Sequence, residues 1–341
     1  MATPNKTVAG LMTELARTAA NQKERDLRTQ LVALTGELKK HQDALDAALL
    51  LHEHAEYKVT PIKARHNNEE SESTAVAVAS DWHTEESVDP AGVNFCNEFN
   101  LEIAGRRIDS FFGNLLELIR LNRNATRIET LVLPLLGDFI TGNIHEELTE
   151  SNNLSPTEAV LFVLKKIQAG LALIATDLEL KSIIIPCCVG NHGRTTPKKR
   201  IKTSHLNSFE WLMYHVLAMH VPDERFEYKI ANGYHNFVDI YNFKVRFHHG
   251  DNIKYDGGIG GPTIPILKAI AGWDKQTRAD LDVFGHLHMR MENPKFVLNG
   301  SLIGYSDFSV AVKAPFEPPS QTFFLMEKDH GRTVTCPIFL S

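Results

Sequence analysis

The sequence has few cysteines, and none of them stands in a pattern typical of a disulfide framework or a thiolate metal site. The four cysteines are Cys96, Cys187, Cys188 and Cys336, and no Cys-x-x-Cys pair occurs among the 341 residues. We therefore expect reduced thiols in a cytoplasmic protein. The N-terminus also lacks the charged-then-apolar profile of a signal peptide, and no apolar run approaches the ~18 residues of a membrane span. We expect no membrane partner.

An excess of positive charge is missing as well. Lys and Arg number 36 against 42 Asp and Glu, which gives a formal net charge of −6. No global field therefore attracts the protein to nucleic acid or to an acidic membrane, and binding of any polyanion requires a local cluster of cations. Because 43% of the residues are hydrophobic, the chain can bury the core of a globular protein.

Residues 8–57 contain no proline and only two glycines. Apolar side chains and one histidine recur there at alternating spacings of four and three, which is typical of the seam of a coiled coil. The seam residues are Leu27, Leu31, Leu34, Leu38, His41, Leu45 and Ala48. We predict a helical segment over 1–57 that forms a coiled coil and makes the protein a homo-oligomer; the alternative is an amphipathic helix lying on the catalytic domain. The polar residues 58–73 then form a linker, and 74–341 form the catalytic domain.

From Ala75 onward, short apolar segments alternate with longer helical patterns, which favours an α/β layered domain whose central sheet is covered on both faces. The predicted strands are Ala75–Ser80, Thr130–Leu136, Ser182–Val189, Lys244–Phe247, Leu281–Phe284 and Lys295–Leu298. The predicted helices between them are Arg107–Asn122, Thr157–Thr176 and Ser208–His220.

Polar residues typical of metal ligands follow five of the predicted strands. They are Asp81 and His83, then Asp138, then Asn191 and His192, then His248 and His249, and finally His286 and His288. In an open α/β sheet, ligands gather outside the carboxyl ends of the strands. Each motif alone is weak, but the ordered set predicts one metal site.

This set, in the motifs "SDWH", "LLGDF", "GNHGR", "HHGDNIK", "GHLH" and "NGSLIGY", resembles the calcineurin-like metallophosphoesterases over residues 74–310. The family includes phosphatases, cyclic-nucleotide phosphodiesterases and nucleases of the Mre11/SbcD type. The likeness is greatest to bacteriophage and bacterial members described as DNA-repair-exonuclease-like. The resemblance implies an αββα sandwich, here with an N-terminal helical segment, and for a phage protein it implies the cytoplasm of the host.

The resemblance also implies a role for each ligand. Asp81 and His83 bind one metal ion, which His288 completes, and Asp138 bridges both ions. Asn191, His249 and His286 bind the second ion, with His248 as an alternative to His249 because the motif is doubled. His192 acts on the leaving oxygen of the substrate. One departure is Gly193, where many members of the family carry Asp or Glu after Asn-His. No metal ligand is lost by this change, but it leaves the support of His192 open.

Carboxylate, imidazole and amide ligands suit two divalent ions, with manganese expected and iron, zinc or nickel as alternatives. A bridging carboxylate holds two such ions ~3.5–4 Å apart, the spacing of sites that hydrolyse phosphoesters with metal-activated water. We expect catalysis to depend on His192, Asp81 and Arg194.

A cluster of cations follows His192 in the stretch "RTTPKKRIK". We predict that Arg194, Lys198, Lys199 and Arg200 bind the substrate, although such a run is also typical of a solvated surface. The planar guanidinium of Arg194 is the best candidate for a phosphate contact.

The predicted function is hydrolysis of phosphodiester bonds, with nucleic acid or a nucleotide as substrate. The first alternative is a phosphatase or nucleotide phosphodiesterase that acts on a small phosphorylated molecule. The second alternative is a non-catalytic oligomeric scaffold.

Overall fold

A computed structural model of the protein describes residues 21, 23, 25–42, 71–144, 146–221, 223–255 and 260–340. The chain divides into two compact units, Met1–Val59 and Thr60–Ser341. Within the first unit, residues 25–42 form helix α1, on which Leu27, Leu31, Leu34 and Leu38 are 55–70% exposed. The predicted helix is thus present over this range. Leu45 and Ala48 of the predicted seam lie outside the described residues, and the coiled coil stays a prediction.

The second unit contains a six-stranded sheet whose centre is parallel. Strands β1 (Glu72–Ala77), β2 (Arg127–Val132), β3 (Ser182–Cys187) and β4 (Phe226–Ile230) lie side by side in parallel. The C-terminal hairpin adds two antiparallel strands beside β1, β10 (Ser320–Glu327) and β11 (Gly331–Phe339), so that the sheet order is β11-β10-β1-β2-β3-β4.

A second sheet is formed by the intervening part of the chain. Its strands are β5 (Asn236–Ile240), β6 (Phe243–Phe247), β7 (Leu281–Phe284), β8 (Met291–Asn293) and β9 (Phe296–Leu298), in the order β5-β6-β7-β9-β8. Strands β6, β7 and β9 are parallel, and the two outer strands pair antiparallel.

Helices cover the outer face of each sheet. They are α2 (Leu101–Asn122), α4 (Pro156–Asp177) and α5 (Phe209–His220) on the first sheet and α6 (Thr263–Asp274) on the second. Two short helices, α3 (Glu146–Ser151) and α7 (Asp307–Ala311), lie in the connections. Because successive side chains of a strand point to opposite faces, Ala75 and Ala77 of β1 pack in the core with α2, α4 and α5. Val76 belongs instead to the core between the two sheets, together with Val245 and Phe247 of β6.

Helix α6 packs on the outer face of the second sheet and forms the last of the four layers, after the first group of helices and the two sheets. Ile266, Leu267 and Ile270 form a separate core there with Phe296 and Leu298 of β9. The unit is therefore a helix–sheet–sheet–helix sandwich, the αββα arrangement that the resemblance implies. The expectation of one central sheet with helices on both faces is wrong, because each sheet packs one face against the other sheet.

Helix α4 is long and apolar enough, by length and composition alone, to cross a membrane. The sequence analysis found no such segment. In the structure one face of α4, with Val163, Ile167, Leu171 and Ile174, is buried in the helical side of the core. This burial accounts for its apolar composition.

All six predicted strands and all three predicted helices are present, with shifts of a few residues at their ends. Strands β4, β5 and β8 and helices α3, α6 and α7 were not predicted. Strand β4 is an edge strand with half-buried side chains, and β8 has only three residues, so neither carries a clear apolar alternation. Strand β1 begins at Glu72, inside the stretch predicted as a linker.

Candidate metal centre

Five loops bring the predicted ligands together at the carboxyl ends of β1, β2, β3, β6 and β7. Just beyond β1 and β2, Ala79 and Leu135 form an isolated parallel bridge, and Leu135 forms another with Cys187 at the end of β3. The parallel order of the strands therefore continues up to the first ligands. Asp81 and Asp138 follow within three residues of these bridges and are buried.

Three groups of side chains in the described part of the chain offer ligand atoms within 4.8 Å of one another. The groups are Asp81 with His83 and His288, His83 with Asp138 and His192, and Asp138 with His249 and His286. His83 and Asp138 each belong to two groups, so the three form one continuous constellation.

Short contacts connect the ligands directly. Oδ2 of Asp138 lies 2.9 Å from Nε2 of His249, and the same nitrogen lies 3.1 Å from Oδ1 of Asn191. On the other side, Oδ1 of Asp81 lies 3.6 Å from Nε2 of His288. All seven residues predicted as metal ligands are thus neighbours in this site.

The main chain adopts an unusual conformation at the ligands. Of the ten non-glycine residues with positive φ in the described ranges, five are Asp81, His83, Asp138, His286 and His288. Positive φ costs free energy for such residues and is concentrated at functional sites, where the surrounding structure imposes it. The fold therefore holds these five residues in a main-chain conformation that lowers its stability, and this conformation directs their side chains into one site.

Hydrogen bonds that involve Nδ1 fix the orientation of three imidazole rings. Nδ1 of His249 lies 2.8 Å from the carbonyl of Leu136, and Nδ1 of His192 lies 2.9 Å from the carbonyl of Thr141. Because a carbonyl only accepts, both rings carry a proton on Nδ1. Nδ1 of His83 contacts the Thr141 hydroxyl at 3.1 Å, while its Nε2 is buried without a hydrogen-bond partner.

Burial governs the protonation of the ligands. It raises the pKa of the Asp81 carboxyl to about 7 and lowers the pKa of His286 to about 4 and of His288 to about 3. Burial also opposes ionisation of Asp138 and His249, but their mutual attraction overcomes it. As a result the pKa of Asp138 lies well below its ordinary value, and that of His249 rises to about 10.

These features fit divalent cations. Neutral imidazoles and carboxylates are the protein ligands of such ions, and a ligating histidine usually donates its second N–H to a carbonyl or carboxylate. The unpartnered Nε2 of His83 points to a partner outside the protein, since buried polar atoms are normally satisfied. The described residues hold no thiolate in these groups, which argues against a structural zinc site.

Two buried carboxylates that the sequence analysis missed support the ligand loops. Glu210 of α5 accepts hydrogen bonds of 2.8 Å from the main-chain N–H groups of Phe139 and Gly190. It thereby connects the loop of Asp138 to the loop of Asn191. Glu85 accepts hydrogen bonds of 2.8 Å from the N–H groups of Thr141 and Gly142.

A close approach of two ligand loops requires glycine at position 137. Gly137 has φ +87°, and a Cβ atom there would lie 2.1 Å from the main-chain nitrogen of Gly190. The Gly-Asp and Gly-Asn motifs are therefore packed against each other backbone to backbone.

Of the two adjacent histidines, His249 belongs to the site. The ring of His248 stacks on Phe284, with 4.7 Å between ring centroids, and its Nε2 lies 3.4 Å from Asp282. His248 belongs to none of the candidate metal groups of the described residues.

The predicted substrate-binding cations lie beside the site, but two of them already have partners. The guanidinium of Arg194 donates to the carbonyls of Asn191, Thr196 and Pro197 at 2.7, 3.1 and 3.4 Å. Arg194 therefore stabilises its own loop. The sequence analysis expected instead that its planar guanidinium contacts a phosphate of the substrate. The other cations are Lys199, which pairs with Asp251, and the exposed Lys198 and Arg200.

A cleft opens next to Asn191. Arg194, Lys199 and Arg200 line it together with Tyr234 and Ile201, whose side chain is 92% exposed. The lining of the cleft therefore combines cationic, polar and apolar side chains.

No family model matches the sequence, and no curated protein matches it. Among solved structures, the chain is similar to Vacuolar Protein Sorting 29 from Cryptosporidium parvum, with 14% identity, 78% of this chain and 98% of that chain covered, and a TM-score of 0.33. It is also similar to a predicted phosphoesterase from Streptococcus pneumoniae TIGR4, with 11% identity, 78% and 97% coverage and a TM-score of 0.29. A hypothetical protein from Pyrococcus horikoshii OT3 gives 13% identity, 77% and 87% coverage and a TM-score of 0.36. Likeness of this degree carries no conclusion about family or activity.

Proposed function

We propose that this protein is a metal-dependent phosphoesterase that hydrolyses phosphodiester bonds, with nucleic acid as its substrate. The observation that carries the proposal is the buried Asp138, which is shared between neighbouring groups of candidate ligands. One carboxylate placed between two sets of imidazoles is the arrangement that a dinuclear hydrolytic site needs. The resemblance of the five strand-end motifs to the metallophosphoesterases points the same way.

The residues that would hold the ions divide into two sets around Asp138. One set is Asp81, His83 and His288, and the other is Asn191, His249 and His286. Manganese is the metal that we propose, with iron, zinc and nickel as alternatives. When bound, two divalent cations neutralise phosphoryl oxygens and make hydroxide available near neutral pH.

His192 is the residue that we assign to proton transfer. Because its Nδ1 donates to the carbonyl of Thr141, any proton that it exchanges with a substrate sits on Nε2. Its main-chain N–H also donates to Oδ1 of Asp138 at 2.8 Å, which holds the ring beside the candidate ligands. The ring of His192 lies 4.7 Å from that of His83, centroid to centroid.

The cleft beside Asn191 favours an extended diester over a small monoester. A phosphatase encloses a terminal phosphate dianion, whereas a nuclease needs a groove that is open along the chain of its substrate. Lys198, Arg200 and Ile201 are exposed along this side of the site, which suits an open groove. The cations there supply a local attraction for a polyanion on a protein whose net charge is −6.

The proposal is tested by hydrolysis of bis(p-nitrophenyl) phosphate and p-nitrophenyl phosphate, with Mn²⁺ added and after removal of metal by chelation. We expect faster hydrolysis of the diester, only with metal, and then cleavage of single- or double-stranded DNA. Asp138→Asn should abolish the activity, while Asp239→Asn removes an exposed carboxylate of β5 and should leave it unchanged. A preference for the monoester would establish the phosphatase alternative, and metal binding without any hydrolysis of DNA or of either ester would favour the scaffold.

A further inference from the structure

Thr141 is not one of the predicted ligands, yet each of its polar groups contacts the site or its support. Its N–H donates to Oε1 of Glu85 at 2.8 Å. Its hydroxyl lies 3.1 Å from Nδ1 of His83 and 3.1 Å from Oε2 of Glu86, and its carbonyl lies 2.9 Å from Nδ1 of His192. Thr141 is itself fully buried.

The contacts of the hydroxyl define where the proton of His83 resides. A threonine hydroxyl has one proton to donate, and here it donates that proton to the ionised carboxylate of Glu86. The hydroxyl oxygen therefore accepts from Nδ1 of His83, which places the imidazole proton on Nδ1 and the lone pair on Nε2. That Nε2 is the buried nitrogen that has no hydrogen-bond partner.

We propose that Thr141 is a positioning residue that prepares two different side chains of the active site. Its hydroxyl fixes the tautomer of His83 for binding a divalent cation, and its carbonyl fixes His192 for proton transfer. The inference rests on the proposed function, since it assigns a purpose to the orientation of both rings. It also supplies the support of His192 that Gly193 cannot give.

The main chain around Thr141 is held firmly enough for this purpose. Glu85 is buried and accepts from the N–H groups of both Thr141 and Gly142. Gly142 has φ +62°, and a Cβ atom there would lie 2.7 Å from the carbonyl oxygen of His192. The segment of Thr141 and the segment of His192 are therefore in close backbone contact.

The two contributions of Thr141 can be separated, because one comes from the side chain and the other from the main chain. Thr141→Val removes the hydroxyl and keeps the shape and the carbonyl. Thr141→Ser keeps both polar groups and is the matched control. Thr141→Ala removes the hydroxyl without the branched side chain, and it covers the case in which valine does not fit.

The experiment measures Mn²⁺ binding to the full chain after removal of metal, by electron paramagnetic resonance of free Mn²⁺. We expect wild type and Thr141→Ser to bind two ions alike. Thr141→Val and Thr141→Ala should bind one of the two ions about 10–100-fold more weakly, the range found when the partner of a ligating histidine is lost. As binding weakens, the Mn²⁺ concentration for half-maximal hydrolysis should rise in these two variants. Their kcat at saturating Mn²⁺ should change less, because the Thr141 carbonyl still orients His192.

A second readout follows the proton itself. In ¹⁵N-histidine-labelled metal-free protein, the His83 signal, identified by its loss in His83→Gln, should show the Nδ1–H form in wild type and a mixture of tautomers in Thr141→Val. Unchanged affinity for both ions in Thr141→Val and Thr141→Ala would overturn the inference alone. A wild-type protein that binds no divalent metal would overturn the metal centre, and the proposed function with it.

Discussion

Glu210 occupies the space that a side chain at position 193 would need. A Cβ atom at Gly193 would lie 2.7 Å from Cγ of Glu210, which comes from helix α5. The Glu210 carboxylate is not free to move away, because it accepts hydrogen bonds from the N–H groups of Phe139 and Gly190. Glycine at position 193 is therefore explained by an acidic residue that enters from a different part of the chain.

We expect Gly193→Ala to lower the free energy of unfolding by about 1–3 kcal/mol, the usual cost of overpacking a rigid site. Glu210→Ala should cost a similar ~1–3 kcal/mol, because two buried N–H groups lose their acceptor. The double variant should lose less than the sum of the two, since the clash disappears with Glu210. Denaturant unfolding of the four proteins measures this coupling, and strict additivity would contradict the contact.

Gly113→Ala is the matched control for that substitution. Gly113 lies within helix α2, and a Cβ atom there would meet no atom within 4 Å. Alanine at this position should stabilise the protein by about 0.4–1 kcal/mol through the lower entropy of the unfolded chain. The free energy of unfolding should therefore rise in Gly113→Ala and fall in Gly193→Ala. This difference in sign distinguishes a steric effect at position 193 from a general effect of alanine.

Glu210 should also make stability depend on pH in the metal-free protein. Burial, together with the negative charge of Asp138, raises the pKa of Glu210 from 4.5 to about 8. Between these values the folded protein holds a proton that the unfolded chain has released. The free energy of unfolding therefore falls as pH rises through this window, by up to about 1.4 kcal/mol per pH unit from this group.

Glu210→Gln removes the titrating carboxyl group. The free energy of unfolding of this variant should therefore decline less than that of wild type between pH 5 and pH 8. Guanidinium unfolding in the presence of a chelator at four pH values measures the difference. Parallel pH profiles for the two proteins would show that Glu210 does not titrate in this range.

The ligand-bearing loops were predictable because each has a local signal. At Asp81, and again at Asp138, an apolar strand ends at once in a polar side chain, and the parallel order of the strands brings such ends together. These signals depend on neighbouring residues in the sequence. These signals were enough to predict an α/β domain and to identify the seven candidate metal ligands that the structure brings together.

The residues that support the ligands were not predictable in this way. Glu210 is 71 residues from Phe139, its hydrogen-bond partner, and Thr141 is 51 residues from His192. Neither belongs to a motif, because its role arises only when separate loops meet. The role of Arg194 was mispredicted for the same reason. The sequence does not reveal that its guanidinium donates to carbonyls of its own loop.

The exposed leucines of helix α1 predict self-association. Replacing Leu31 and Leu38 by glutamate puts charge on the seam at two positions, and we expect the mass in solution to fall. Ala33→Glu with Lys40→Glu places two glutamates at the same spacing off the seam, and this control should keep the mass of wild type. Light scattering coupled to size exclusion measures both. An unchanged mass in the leucine variant would favour the alternative, in which the helix packs on the catalytic domain.

His192 and Asp138 should respond differently to substitution. His192→Ala is expected to reduce turnover by about 10²–10⁴-fold, the range for loss of a positioned acid or base, while two metal ions remain bound. Asp138→Asn should reduce both turnover and metal content, because the same carboxylate serves neighbouring ligand groups. Metal analysis of the dialysed proteins beside the rate with bis(p-nitrophenyl) phosphate separates the two. Since His192 also lies in a candidate group with His83 and Asp138, loss of an ion in His192→Ala would make it a ligand instead of an acid.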